Sequence, residues 1–300
     1  MQLRQALNAA VERLTSARVP SPRMNAELLI MFTLDCGRAY LYAHPERELT
    51  SNEVRRYDEA LVRRATGVPV QYITGHQEFW GLDLIVSPAA LIPRPETEHV
   101  VEAVLELVSS GDSEQSQELD QGPRARAPAP HELRIVDVGT GSGAIALALA
   151  KELPTAHIHA TDISPEALEV ARANAARLEL TSRIEFHRTD LLTGLRPASF
   201  DFVVSNPPYV GESEEDSVQL EVRKFEPRTA VFAGPTGVEV IERLIPQARD
   251  ALRPDGWLAL EISGTIVDRV LSLLSGWNEV EIRNDLQGIA RVVIARKASG

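Results

Sequence analysis

Apolar residues recur three and four apart along the first third of the chain. Leu3, Leu7, Ala10, Val11 and Leu14 share one helical face, and Ala26 to Leu34 forms a compact apolar stretch after Ser21-Pro22, so two helices are predicted there. A third fits Ser51 to Thr66, with Thr50 or Ser51 as cap and Glu53 in the first turn. Its Arg55-Arg56 and Arg63-Arg64 pairs read as a solvated face. From Val70 to Ile92 the period shortens to β-type runs with turn points at Gly75 and Gly81, which predicts a hairpin linking two domains. The implied division is a helical domain over 1–69, the hairpin over 70–92 and a larger domain over 93–300.

The larger domain alternates its periods. After a helix near 96–109 comes a polar, Pro-rich stretch, residues 111–131, which reads as a flexible loop. Strands are then predicted at Leu133–Val138, His157–Asp162, Arg183–His187, Phe200–Ser205 and Trp257–Ile262, with helices from Ala144, from Pro165 and near Val238–Leu252. This alternation implies an α/β domain whose mostly parallel sheet is covered by helices on both faces. The last two strands, Glu279–Arg283 and Ala290–Ala295, are joined by a short polar turn and must pair antiparallel.

Composition changes this picture only at its margins. With 44% hydrophobic and 25% charged residues, the 300-residue chain has the makings of an ordinary globular protein, and no apolar run approaches the roughly 20 residues needed to cross a bilayer. No secretory leader and no membrane association are expected. The single cysteine, Cys36, fits a reducing cytoplasm and leaves no cysteine-based metal site. The net charge of −12 is concentrated after residue 92, where 33 acidic residues face 21 basic ones. That balance argues against stable binding to nucleic acid, which draws affinity from Lys and Arg. A monomer is expected.

Candidate chemistry lies at two strand ends. The first strand of the larger domain runs into Gly139-Thr140-Gly141-Ser142-Gly143 before a helix, which lets the backbone approach a ligand and present N–H groups to it. The second strand ends at Asp162, placed to accept from both hydroxyls of a ribose. By themselves these residues serve NAD and S-adenosylmethionine equally well. The fourth strand ends in Asn206-Pro207-Pro208-Tyr209 at the sheet edge where open α/β folds bind ligands. Two prolines fix the backbone, so the Asn206 side-chain oxygen and the Pro207 carbonyl become a rigid pair of acceptors for both hydrogens of an NH2 group, and Tyr209 adds an aromatic face. This motif and the antiparallel closing hairpin favour methyl transfer to a planar nitrogen. His76 and His99 are read as structural.

Over nearly its whole length the sequence resembles the HemK/PrmC-type peptide-chain-release-factor glutamine N5-methyltransferases. The resemblance rests on Asn206 to Tyr209, on Arg63–Val101 with its I-P-R-P-E-T-E segment, on Phe225–Ile245 and on Asp285–Val293. It implies a class I, Rossmann-like methyltransferase domain with a seven-stranded, mostly parallel sheet and an antiparallel last strand, preceded by a small helical domain. It further implies S-adenosylmethionine as cofactor and class 1 release factors, methylated on the glutamine of Gly-Gly-Gln, as partners. Gly139 to Gly143 would line the methionine part of the cofactor, Asp162 the ribose, and Asp190 with Leu191 the adenine. Asn206 to Tyr209 would bind the glutamine, with Asn206 also near the cofactor; Arg94, Glu96 and Thr97 would help close the site. The chain departs from the family at Glu261-Ile262-Ser263-Gly264 followed by Ile266, a stretch expected to lie at the periphery. The competing readings are an adenine-N6 methyltransferase, which shares the Asn-Pro-Pro-Tyr chemistry, and a noncatalytic interaction protein on a cofactor fold.

Overall fold

A computed structural model describes residues 1–118 and 132–298, in two compact units: Met1–His76 with Val218–Phe225, and Gln77–Ser217 with Glu226–Gly300. The first holds helices α1 (Leu3–Ser16), α2 (Pro22–Leu34), α3 (Arg38–Ala43), α4 (Ser51–Ala65) and α5 (Val70–Thr74). Leu3, Ala6, Leu7, Ala10 and Leu14 of α1 are buried, as their spacing requires. Helix α4 begins with a reciprocal box in which the Glu53 N–H donates to Thr50 Oγ1 at 3.3 Å and the Thr50 N–H donates to Glu53 Oε2 at 2.8 Å.

Two expectations fail in this unit. The Arg63-Arg64 pair is only half a solvated face: Arg63 is exposed, but Arg64 is buried, donates to Asn25 Oδ1 at 2.7 Å and pairs with Glu221 at 3.0 Å. Glu221 arrives on the inserted segment, where helix α9 spans Leu220–Phe225, and nothing in the local periodicity announces it. Residues 70–74 are helical as well, despite their β-branched composition. Gly75, at φ 80°, closes the turn by donating its N–H to the Gln71 carbonyl at 2.7 Å, a glycine stop that outweighs strand propensity in so short a run.

The hairpin is confined to β1 (His76–Phe79) and β2 (Leu82–Ile85), and its Phe79, Leu82 and Leu84 enter the core of the second unit. Helix α6 (Glu98–Glu118) continues through residues 111–118 of the predicted loop, because one glycine costs a helix only about 1 kcal/mol and strong helix formers follow. The remainder of that loop, 119–131, lies outside the described residues.

The central sheet comprises β3 (Arg134–Val138), β4 (His157–Asp162), β5 (Ile184–Arg188), β6 (Phe200–Ser205), β9 (Leu252–Glu261), β10 (Asn278–Asn284) and β11 (Ala290–Arg296) in the order β10-β11-β9-β6-β3-β4-β5. All neighbours are parallel except β11, which runs antiparallel to both β9 and β10. A separate two-stranded sheet pairs β7 (Val210–Gly211) with β8 (Phe232–Gly234). Helices α7 (Ala144–Glu152), α8 (Pro165–Arg177), α10 (Arg228–Val231), α11 (Glu239–Ala251) and α12 (Val267–Leu273) complete the unit. Every residue of α7 from Ala144 to Ala150 is buried, which explains its apolar character all round. Among the described residues no helix is long and apolar enough to cross a membrane.

Candidate active site

Register brings the predicted residues together. Val138 lies opposite Thr161 on β4 and Ser205 on β6, so the turn after β3, Asp162 and Asn206 meet at the carboxyl edge of adjacent strands. Ser205 Oγ ties the two central strand ends by donating to the Val138 carbonyl at 2.6 Å. A cavity of about 360 Å³ opens there, within the ~300–1,000 Å³ usual for small-molecule sites.

Gly139 and Gly141 line this cavity at φ 70° and 57°. A Cβ built on Gly139 meets no atom within 4 Å, and one on Gly141 meets only Ala90 Cβ at 3.9 Å, so side chains there would occupy ligand space. Asp162 braces the loop, accepting from the Gly141 N–H at 2.9 Å through Oδ2 and from the Ser164 N–H at 2.9 Å through Oδ1. Burial pushes its carboxyl above the ordinary value, while these N–H groups pull the other way. Thr140 and Ser142 also line the cavity, as do Asp190 and Leu191. Asp190 is paired with Arg243, another lining residue.

Gly143 does not line it. At φ 87° it caps α7, and a Cβ there would stand 3.1 Å from Leu147 Cδ1 and 3.2 Å from Ala171 Cβ, so its role is close helix packing. Asp137 is a residue the sequence reading missed. Wholly buried, it accepts from Thr140 Oγ1 at 2.6 Å and the Ala146 N–H at 3.2 Å, its Oδ1 has no partner, and burial raises its pKa to about 7.

At the other end, Asn206 and Pro208 face the cavity, whereas Pro207 is buried behind it and Tyr209 does not reach its lining. Asn206 Nδ2 donates to Thr97 Oγ1 at 2.9 Å, which turns Oδ1 of the same amide away from Thr97. Thr97 ends a 3-10 turn, Pro95–Thr97, that leads into α6. Tyr209 Oη donates to Glu261 Oε1 at 3.0 Å. Glu261 is the last residue of β9, only 2% exposed, and it stands beside the Asn206 segment because Ser205 pairs with Leu260. The stretch expected at the periphery therefore starts directly behind the Asn206 segment, outside the cavity lining. No sequence signal marks Glu261, since its partners are 52 residues and more away in the chain. Arg94 is held by Glu226, which also accepts the Ile92 N–H at 3.1 Å, while Glu96 lies 3.9 Å from Arg291. His76 and His99 are absent from the cavity wall.

Elsewhere, His159, Glu185 and His187 place ligand atoms within 4.8 Å of one another. Arg134 Nη2 faces His159 Nε2 at 3.2 Å, so that nitrogen accepts, and Nδ1 donates to His187 Nε2 at 3.0 Å. Burial lowers the His159 pKa to about 4, in keeping with a neutral ring. A cation on Nδ1 would leave an N–H aimed at the guanidinium, the reverse of the usual metal-ligand support. The group is a hydrogen-bond chain.

The PrmC N-terminal domain family matches residues 5–75, and the methyltransferase small domain family matches residues 116–224. Release factor glutamine methyltransferase of Koribacter versatilis is 52% identical over 99% of both chains, and that of Escherichia coli 38% identical over 99% of both. Among solved structures, the hMettl16 catalytic domain, crystallised with the MAT2A 3′UTR hairpin 6, superposes with a TM-score of 0.55 at 17% identity over 86% of this chain and 92% of its own. That likeness is one of fold.

Proposed function

This chain belongs to the family of release factor glutamine methyltransferases, and from that premise we propose that it transfers a methyl group from S-adenosylmethionine to the side-chain nitrogen of the glutamine in the Gly-Gly-Gln motif of class 1 release factors. The observation that carries the reading is Asn206. With its Nδ2 engaged by Thr97, it offers a side-chain oxygen to the cavity that the glycine turn and Asp162 also line. An amino group, with hydrogens to donate, is what such an oxygen selects.

The lining residues fit the cofactor. Gly139 and Gly141 leave room for its backbone-side contacts, Asp162 supplies a carboxylate for the ribose hydroxyls, and Ile163 and Leu191 give apolar walls for a base. When bound, S-adenosylmethionine supplies an electrophilic methyl carbon on a sulfonium.

The residues of this chain then have to orient a poor nucleophile, because the amide lone pair is delocalised into its carbonyl. Asn206 Oδ1 accepts an amide hydrogen, raises electron density on nitrogen and aims it at the methyl group, whereas Pro207, predicted to supply the second acceptor, is buried outside the cavity lining. Positioning of this kind is worth several kcal/mol. Tyr209, outside the cavity lining, has its hydroxyl tied to Glu261 and its pKa raised by burial, so it steadies the Asn206 segment and does not serve as a base. The cofactor would supply the methyl group to that nitrogen, and no residue of this chain has to act as a base there, because the proton released can pass to water.

The test is transfer of labelled methyl in parallel to a class 1 release factor, to its Gln→Ala variant in Gly-Gly-Gln, and to duplex and single-stranded DNA. Label on the intact release factor alone is the expected result. Label on DNA would replace this reading with adenine-N6 methylation.

A further inference from the structure

A carboxamide is planar, so a site that aims it has to hold its plane as well as its edge. Asn206 addresses the edge. The face was expected to fall to Tyr209, but that residue lies outside the cavity lining with its hydroxyl held by Glu261. Among the described residues that line the cavity, Phe232 alone is aromatic. It belongs to Phe225–Ile245, a stretch the acceptor chemistry above does not use.

We infer that Phe232 is the aromatic wall at the Asn206 end of the cavity and stacks on the plane of the acceptor carboxamide. Its place in the fold supports this. Phe232 opens β8 and pairs with Val210 of β7, two residues beyond Pro208, which shares the cavity wall with it. The short two-stranded sheet thus carries the half-buried ring back beside the Asn206 segment. The residues assigned to ribose and adenine lie elsewhere: Asp162 ends β4 and Asp190 follows β5, two and three strands from β6. At the usual strand spacing these are about 10 and 14 Å away across the sheet.

The ring is also fixed in advance. Glu226 pins the start of its segment by pairing with Arg94 and accepting the Ile92 N–H at 3.1 Å. The Arg228 guanidinium lies over the ring, 4.5 Å from its centroid, and is itself gripped by Glu215 through hydrogen bonds of 2.6 and 3.1 Å. Turning the ring away would break that cation–π contact. A flat face held beforehand adds little ordering cost when a substrate arrives, and it favours one orientation of a flat group, which an aliphatic wall does not. This inference rests on the reading of Asn206 given above.

The experiment uses the full chain and the variants Phe232→Leu and Phe232→Tyr. Leucine keeps an apolar side chain and removes the ring, so kcat/KM for a class 1 release factor should fall about three- to tenfold, the size of one aromatic contact, while cofactor Kd stays within about twofold. Tyrosine restores the ring and should return kcat/KM to within about twofold of wild type. A second readout is independent of transfer. A Gly-Gly-Gln tripeptide with blocked termini is added to protein loaded with S-adenosylhomocysteine, and its glutamine NH2 resonances should move upfield in the ring current of Phe232 with wild type and lose that shift with Phe232→Leu. Unchanged kcat/KM in Phe232→Leu, or resonances that do not move upfield in wild type or move alike in both proteins, would overturn the inference. A weakened cofactor Kd with kcat/KM intact at saturating cofactor would also overturn it, by placing the ring against the cofactor. Wild-type protein that labels no release factor would instead refute the acceptor reading, and the tripeptide resonances would still decide whether the ring covers an amide.

Discussion

Around the turn after β3, the cavity wall is backbone at positive φ, Gly139 and Gly141, braced by Asp162, which sits one strand away. Around Asn206 it is side chains held by other side chains, from a turn 109 residues earlier and from the end of β9. The first arrangement is bought with glycine and is nearly indifferent to what surrounds it. The second depends on donor and acceptor directions at two contacts, Asn206 with Thr97 and Tyr209 with Glu261, so isosteric changes that leave the fold intact should disable it. Binding should therefore fail at one end of the cavity and chemistry at the other.

The strongest way to break that contrast is Asn206→Ala. Loss of the oriented acceptor should lower kcat by about 100- to 1,000-fold with cofactor Kd within about threefold, measured by single-turnover transfer and by calorimetry. Equal losses in both quantities would place Asn206 on the cofactor side only. Asp162→Ala should show the opposite order. Removal of a charged acceptor that contributes about 1.5–3 kcal/mol should weaken cofactor binding by about 10- to 100-fold, while kcat at saturating cofactor changes far less. Unaltered affinity in that variant would refute the ribose assignment.

The same contrast explains what could be read without coordinates. The glycine turn, Asp162 and the strands that carry them are local features, each announced within a few residues; the parallel sheet and the antiparallel pairing of its last two strands followed from period and connection length, and the antiparallel last strand from the family resemblance. Asn206 to Tyr209 was legible as a motif. Its supports were not: Thr97 was visible only as part of a resemblance, and Glu261 stood in a stretch assigned to the periphery. Asn174 shows the same blindness, since it looks like any polar residue of α8. It is wholly buried, donates to the Ser142 and Ile85 carbonyls at 2.9 and 3.0 Å, and accepts the Ile85 N–H at 2.7 Å. Periodicity reports which face of an element is apolar; it says nothing of which distant polar atoms will share a buried position.

Gly143 tests the backbone end in a third way. Alanine there must adopt φ 87° and push against Leu147 and Ala171. The expected cost is about 1–3 kcal/mol of stability, seen as a lower midpoint in denaturant unfolding. Because Gly143 does not line the cavity, cofactor affinity measured well below that midpoint should be nearly preserved. A large loss of affinity without a loss of stability would mean that Gly143 contacts the ligand after all.

The smallest effect expected is a gain. Leu191 lines the cavity at φ 53° and packs partly against the core, so a larger planar side chain at this position has one face supported. With the adenine placed against Leu191 as proposed, Leu191→Phe would give it a ring to stack on. A favourable aromatic pair is worth about 0.5–1.5 kcal/mol, so cofactor Kd should fall by about three- to tenfold. The left-handed backbone is no obstacle peculiar to phenylalanine, since leucine already carries it. As Leu191 belongs to the binding end, kcat at saturation should not move. Tighter binding with unchanged kcat would sharpen the division between the two ends; weaker binding would place the base against a different wall of the cavity and leave Leu191 to the core.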